Sequence, residues 1–332
     1  LTAAFAGWDT PGMMPVPPQL PKHIPWWRRP IDWVIIVVCL AIVGVAGIAA
    51  HTLSLRREAV FYSNRGFQEY QVGQFDLAID DASHAIQLNP KLAPPWNNRG
   101  LAKNKKGDYA SAIADFNVAI GLSPQDGKAF NNRGLAENAL GDFSKALADA
   151  NQAVKLNPAD AQAFSNRSVI KTNLRDYDGA IADSTQSISL KPDFAMAYNN
   201  RGYAKMSKGD NAGAIVDATA ALKINPRDLA SLSLRAKALQ GTGNFAAAIA
   251  DFDQLIALNP KIAATYTNRG VAKYRSGDYD GALADYNQAL GLNPKDIIVY
   301  ENRALLEEKQ GNMEAAQADR QKAAELKIPP AP

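Results

Sequence analysis

The sequence predicts an all-α solenoid of eight helix-turn-helix repeats, preceded by a single transmembrane helix. Three observations carry this. A 34-residue pattern starts at residues 59, 93, 127, 161, 195, 229, 263 and 297 and fills 59–330 without insertion. Nearly every copy has a glycine near its middle and a proline near its end. One stretch, Trp33 to Leu55, holds no Asp, Glu, Lys or Arg. A fixed period of this length means stacked units, each too small to bury its apolar side alone.

Residues 1–30 come first, with Pro11, Pro15, Pro17, Pro18, Pro21, Pro25 and Pro30 and no apolar periodicity. That composition predicts a flexible or partly extended tail. No PxxP run there has the basic flanks of a groove-binding ligand.

Residues 31–55 read as an uncleaved membrane anchor, long enough to cross a bilayer as a helix. Trp26, Trp27 and Trp33 mark one end, where amphipathic rings prefer the headgroup layer. Arg28 and Arg29 precede the span and Arg56 and Arg57 follow it. A buried helix of a soluble domain fits less well, because helices of a solvated solenoid are amphipathic. A cleaved signal peptide is the rival, with small residues at Gly47-Ile48-Ala49. Flanking charge is nearly balanced: Lys22, Arg28 and Arg29 before, Arg56, Arg57 and Arg65 after. If Arg65 is neutralised within its repeat, the balance places the tail in the cytoplasm and the repeats in the periplasm. Cys39, the single cysteine, excludes a disulfide framework or a thiol metal site.

Within each repeat the fourth place is aromatic (Tyr62, Trp96, Phe130, Phe164, Tyr198, Tyr266, Tyr300), except Leu232. A small residue follows four places on, as at Gly66, Gly100, Gly134, Gly202 and Gly270, so a knob and a gap share one helix face. Gly73, Gly107, Gly141, Gly209, Gly243, Gly277 and Gly311 predict the end of the first helix. Asp108, Asp142, Asp176, Asp210, Asp278, Asn244 and Asn312 are placed to cap the second. Alanine holds the twentieth place in all eight copies, where two helices cross closely. Proline, from Pro90 to Pro294, closes seven of them.

This spacing closely resembles the tetratricopeptide repeat family over residues 59–330. The resemblance implies antiparallel helix pairs wound into a right-handed superhelix with a concave inner wall. It implies no particular ligand, since the family is defined by architecture.

Two charged columns need partners. Arginine holds the seventh place throughout: Arg65, Arg99, Arg133, Arg167, Arg201, Arg235, Arg269 and Arg303. The family usually has an apolar residue there. Aspartate holds the twenty-third: Asp81, Asp115, Asp149, Asp183, Asp217, Asp251, Asp285 and Asp319. A charge on a packed stripe must be paired, so these are expected to be structural ion pairs rather than an anion-binding ladder. Pairing within a repeat or between neighbours fits the sequence equally.

The sixth place is asparagine in seven copies: Asn64, Asn98, Asn132, Asn166, Asn200, Asn268 and Asn302. It shares a face with the freely varying second, ninth and thirteenth places. In the family this face lines the groove, and the column looks like the asparagine ladder of O-linked N-acetylglucosamine transferases. An amide both donates and accepts, so a row of them suits an extended peptide backbone. The competing reading is an amide that bonds its own helix or water. Phe67, Leu101, Leu135 and Tyr203 at the ninth place add apolar groove surface.

Residues 59–330 carry 31 Lys+Arg and 30 Asp+Glu, without the basic excess that nucleic-acid binding needs. His23, His51 and His84 are scattered, no metal or cofactor motif is present, and no residues remain for a catalytic domain. The expectation is no enzyme, no cofactor and no metal. In the eighth copy Ile328 replaces the closing proline, and a polar second helix caps the stack. NRG and GDY triplets point to a bacterial source. The reading is a scaffold of the bacterial inner membrane that binds a protein or peptide in its groove. The alternative is a self-assembling or accessory subunit, a homo-oligomer among the possibilities, with no peptide in the groove.

Overall fold

The computed structural model describes residues 30–327. Most of the proline-rich tail, with Trp26, Trp27, Arg28, Arg29 and His23, and the C-terminal Ile328–Pro330 lie outside the described residues. Those described form sixteen α-helices and no strand.

The first pair is α1 (Pro30–Gln71) and α2 (Phe75–Leu88), followed by α3 (Ala93–Lys105), α4 (Tyr109–Leu122), α5 (Gly127–Ala139) and α6 (Phe143–Leu156). Next come α7 (Ala161–Asn173), α8 (Tyr177–Leu190), α9 (Ala195–Ser207), α10 (Asn211–Ile224), α11 (Leu229–Gly241) and α12 (Phe245–Leu258). The last are α13 (Ala263–Ser276), α14 (Tyr279–Leu292), α15 (Ile297–Gln310) and α16 (Met313–Lys327). Each helix packs on the next in sequence.

The turn inside each repeat has one requirement. Just past the first helix one residue adopts a left-handed conformation, φ 80° at Gly73 and 96° at Gly209, which glycine meets without strain. The fourth repeat puts Arg175 there, at φ 63°, the only non-glycine with positive φ among the described residues. Second helices start on side-chain caps: Asp108, Asp176, Asp210, Asn244 and Asp278 each accept a backbone N–H three residues on. Asp142 departs from the expected cap, because its carboxylate is taken by Lys145. Asn312 turns its amide to Glu307.

The alanine column is buried in every repeat, from Ala78 to Ala316. The eighth-place glycines that pack near it have no room for a side chain. A methyl on Gly100 would stand 2.6 Å from Phe116, and one on Gly134 would stand 3.1 Å from the Ala146 carbonyl oxygen.

Helix α1 is the exception to the regular pairs. It has 42 residues and runs from the apolar segment into the first repeat without a break. It is long and apolar enough to cross a membrane, with a mean hydropathy of 2.8 over its most apolar window, none of it buried.

Candidate interaction groove

The first helices of successive repeats touch one another at α1–α3, α3–α5, α5–α7, α7–α9, α9–α11 and α13–α15, whereas no pair of second helices does so to that extent. The stack therefore closes on its odd-numbered helices, whose free face forms the inner wall.

Arginine and aspartate form a fork inside each repeat. From Arg99 to Arg303, Nε and Nη2 donate to the two oxygens of the aspartate sixteen residues on, at 2.6–3.0 Å. Arg65 forks on Asp81 in the same way. The pairing left open by sequence is thus within repeats. The remaining nitrogen, Nη1, makes the junction. It donates to the twenty-fifth place of the preceding repeat: Arg99 to Ser83, Arg133 to Asn117, Arg167 to Asn151, Arg201 to Thr185, Arg269 to Asp253 and Arg303 to Asn287, at 2.5–3.2 Å. Seven guanidiniums also lie over the fourth-place ring, 4.8–5.7 Å from its centre. Arg235, beside Leu232, keeps the fork to Asp251 alone.

The eleventh place adds to this spine. Lys103, Lys171, Lys205 and Lys273 give the aspartate a second cation at 2.8–3.0 Å. Glu137 occupies that place in the third repeat. It is buried, its Oε2 has no hydrogen-bond partner, and burial followed by the charge of Asp149 pushes it up to about 7.

The asparagine column forms a second ladder between repeats. Asn98 donates to the Ser63 carbonyl at 3.0 Å, Asn132 to Asn97 at 3.0 Å, Asn166 to Asn131 at 3.0 Å and Asn200 to the Ser165 hydroxyl at 2.9 Å. The Asn166 oxygen accepts from Gln162 at 2.8 Å. Neither Asn98 nor Asn132 has a partner for its side-chain oxygen among the described residues, so both keep an acceptor. Asn268 accepts through its backbone oxygen from Gln240.

Asn64, Asn98, Asn132, Phe67 and Leu101 come together in one cleft of about 540 Å³ across α1, α3, α5 and the start of α7. Leu135 is half-buried beyond it, and Tyr203 stands exposed on α9. Asn166, Asn200, Asn268 and Asn302 do not line that cleft. Asn97 and Asn131 at the fifth place and Asp126 and Asp160 at the last place do, and sequence reasoning missed them. The aspartates had a signal: each caps the helix that follows, accepting from Lys128 N and Gln162 N. No cluster of three or more His, Cys, Asp or Glu that could hold a metal occurs among the described residues.

Sequence models of one family, tetratricopeptide repeat, match residues 93–126, 127–160, 195–228, 233–297 and 267–326, together more than half of the chain. The chain belongs to the tetratricopeptide repeat family. Such proteins are typically non-enzymatic scaffolds, and the repeats of this chain indicate a scaffold for protein–protein interaction. No curated protein matches it in sequence.

Among solved structures, the tetratricopeptide fold is shared with a chain of the APC/C hetero-tetramer Cut9-Hcn1, at a TM-score of 0.63 and 18% identity. That match covers 76% of this chain and 50% of the other, so this chain spans half that relative's length. A tetratricopeptide repeat protein from Parabacteroides merdae aligns at a TM-score of 0.56 and 18% identity, over 79% of this chain and 99% of the other. PilF of Pseudomonas aeruginosa aligns at 0.56 and 16% identity, over 64% and 96%.

Proposed function

We propose that this protein is a membrane-anchored scaffold whose groove over the first four repeats holds an extended segment of a partner polypeptide. One observation carries the reading: Asn98 and Asn132, fixed by the ladder and each keeping an unpartnered side-chain oxygen, line the same cleft as Phe67 and Leu101. Rigid acceptors suit peptide N–H groups of any sequence, and the apolar pair suits alternate apolar side chains. Mixed polar and apolar lining with near-neutral charge favours protein over nucleic acid.

Anchoring rests on the apolar half of α1, exposed along its length. The fork to Asp81 neutralises Arg65, which leaves Lys22, Arg28 and Arg29 facing Arg56 and Arg57 across the span. The proposed setting is a bacterial inner membrane, single-pass, with the repeats in the periplasm. A C-terminal alkaline phosphatase fusion is then active, and an inactive fusion refutes the orientation.

A photo-crosslinking residue tests the groove in the full chain in its membrane. Placed at Phe67 or Leu101 it gives a discrete protein adduct, and at Val118 on α4 it does not. The adduct weakens in Asn98→Ala/Asn132→Ala. Equal labelling at all three positions, or none, refutes the groove.

A further inference from the structure

We infer that the outer faces of the first and eighth repeats fit each other, so that the first repeat of one copy stacks on the eighth repeat of another as an internal junction would. Seven junctions inside the chain define what a repeat needs from the one before it. Its third place packs against places twenty-seven and twenty-eight, as Val299 does with Ala289 and Leu290. Its tenth place packs with places twenty and twenty-four, as Ile170 does with Ala146 and Ala150. Its arginine Nη1 donates to place twenty-five in six junctions, and its asparagine donates to place five in four.

Among the described residues no repeat stacks before the first, and its residues depart from the others where one would sit. The third place is Pro, Ala, Ser, Thr or Val, and buried, in repeats two to eight; in the first it is Phe61, 58% exposed. The twenty-eighth place is Ile, Val or Leu in repeats one to seven and alanine only at Ala324, on the exposed face of α16. Small against large inside the chain becomes large against small at its ends. Ala323, Ala324 and Leu305 line a cleft of about 450 Å³ there.

The polar columns change in step. The tenth place is apolar and buried in repeats two to eight, but Gln68 in the first is exposed. The twenty-fourth place is uncharged in repeats one to seven and Arg320 in the eighth. Arg320 pairs with Glu308 in its own repeat, and a Gln68 oxygen gives its guanidinium a further acceptor where an alanine would give none. Asn64 and Arg65 Nη1 have no intrachain junction partner, and the eighth repeat offers Gln321 at place twenty-five and, beside its ion pair with Lys327, Glu301 at place five as acceptors. Unused donors at one end thus face unused acceptor capacity at the other. The polar α16 thus stops a generic repeat and admits this chain's own first one. Such a contact is heterologous, and copies build an open row or a closed ring.

Sedimentation of the full chain in nonionic detergent micelles tests this. Wild type gives a concentration-dependent series beyond dimer. Ala324→Ile, which restores the internal-junction residue, weakens association at least tenfold, and Phe61→Ala in the same chain restores it to within threefold. Mixed chains carrying Cys39→Ser with either Phe61→Cys or Ala324→Cys crosslink 61 to 324. Monomer at every concentration overturns the inference, as does a series indifferent to Ala324→Ile. Crosslinks of 61 to 61 in preference to 61 to 324 overturn it in favour of a two-fold pair. The groove adduct at Phe67 is read separately, so either proposal can fail alone.

Discussion

Arg201 grips Asp217 with two parallel hydrogen bonds of 2.7 and 3.0 Å and gives its third nitrogen to the Thr185 hydroxyl of the preceding repeat. The Asp217 side chain is 1% exposed, and Lys205 also reaches it at 2.8 Å. Removing one partner of a buried pair leaves a charge uncompensated, which costs more than the pair contributes. Arg201→Met is expected to lower unfolding free energy by about 2–3 kcal/mol, softened by Lys205, and to leave the Phe67 adduct unchanged. Arg235→Met is expected to cost about 4 kcal/mol although Arg235 makes fewer contacts, because Leu239 stands where a lysine would reach Asp251. Denaturant unfolding of both variants ranks them, and the reverse order counts against the spine.

Phe116 occupies the space a side chain at Gly100 would need. Gly100→Ala is expected to destabilise by about 1–3 kcal/mol, and Phe116→Leu in the same chain to recover part of it. Gly121 sits in α4 with open space around it. Gly121→Ala is therefore expected to stabilise by about 0.5 kcal/mol. Opposite signs in one thermal-melt series are the check.

Arg175 does a glycine's work at φ 63°. Arg175→Gly is expected to raise stability by about 1 kcal/mol by relieving the left-handed strain. A lower melting temperature would mean that the Arg175 side chain holds the turn through contacts worth more than that strain.

Glu137 links stability to pH. Its folded value, about 7, lies above its ordinary 4.5, so the folded chain binds this proton more tightly. The contribution is complete below pH 4.5 and is lost as pH rises through 7. Glu137→Gln is expected to raise unfolding free energy at pH 8 by about 2 kcal/mol and to change it little at pH 4.5. Calorimetry of both chains at the two pH values gives the difference, and an equal gain at both would assign the effect to packing.

The features legible in sequence are those where one residue type alone meets a local demand. Glycine at left-handed turns, alanine at the helix crossing and proline after the second helix declare the repeat because substitutes are costly. The fork was half legible: Arg201 and Asp217 stand in strict columns, but helix phase alone cannot tell which aspartate a given arginine reaches. The arginine's third bond was hidden, since Ser83, Asn117, Thr185 and Asp253 accept equally well and their column looks variable. Asparagine misled in part. The Asn98 amide that suits a ligand is first engaged by Ser63, so only its oxygen remains for one. Capping by Asp142 failed because Lys145, one turn on, competes for the same carboxylate.

Helix α1 has no joint between Pro30 and Gln71. At 1.5 Å per residue it is a rod of about 63 Å, and a rod without a hinge passes every tilt from one end to the other. Whatever orients its apolar end therefore aims the whole superstructure mounted on its far end, as a mast aims what it carries.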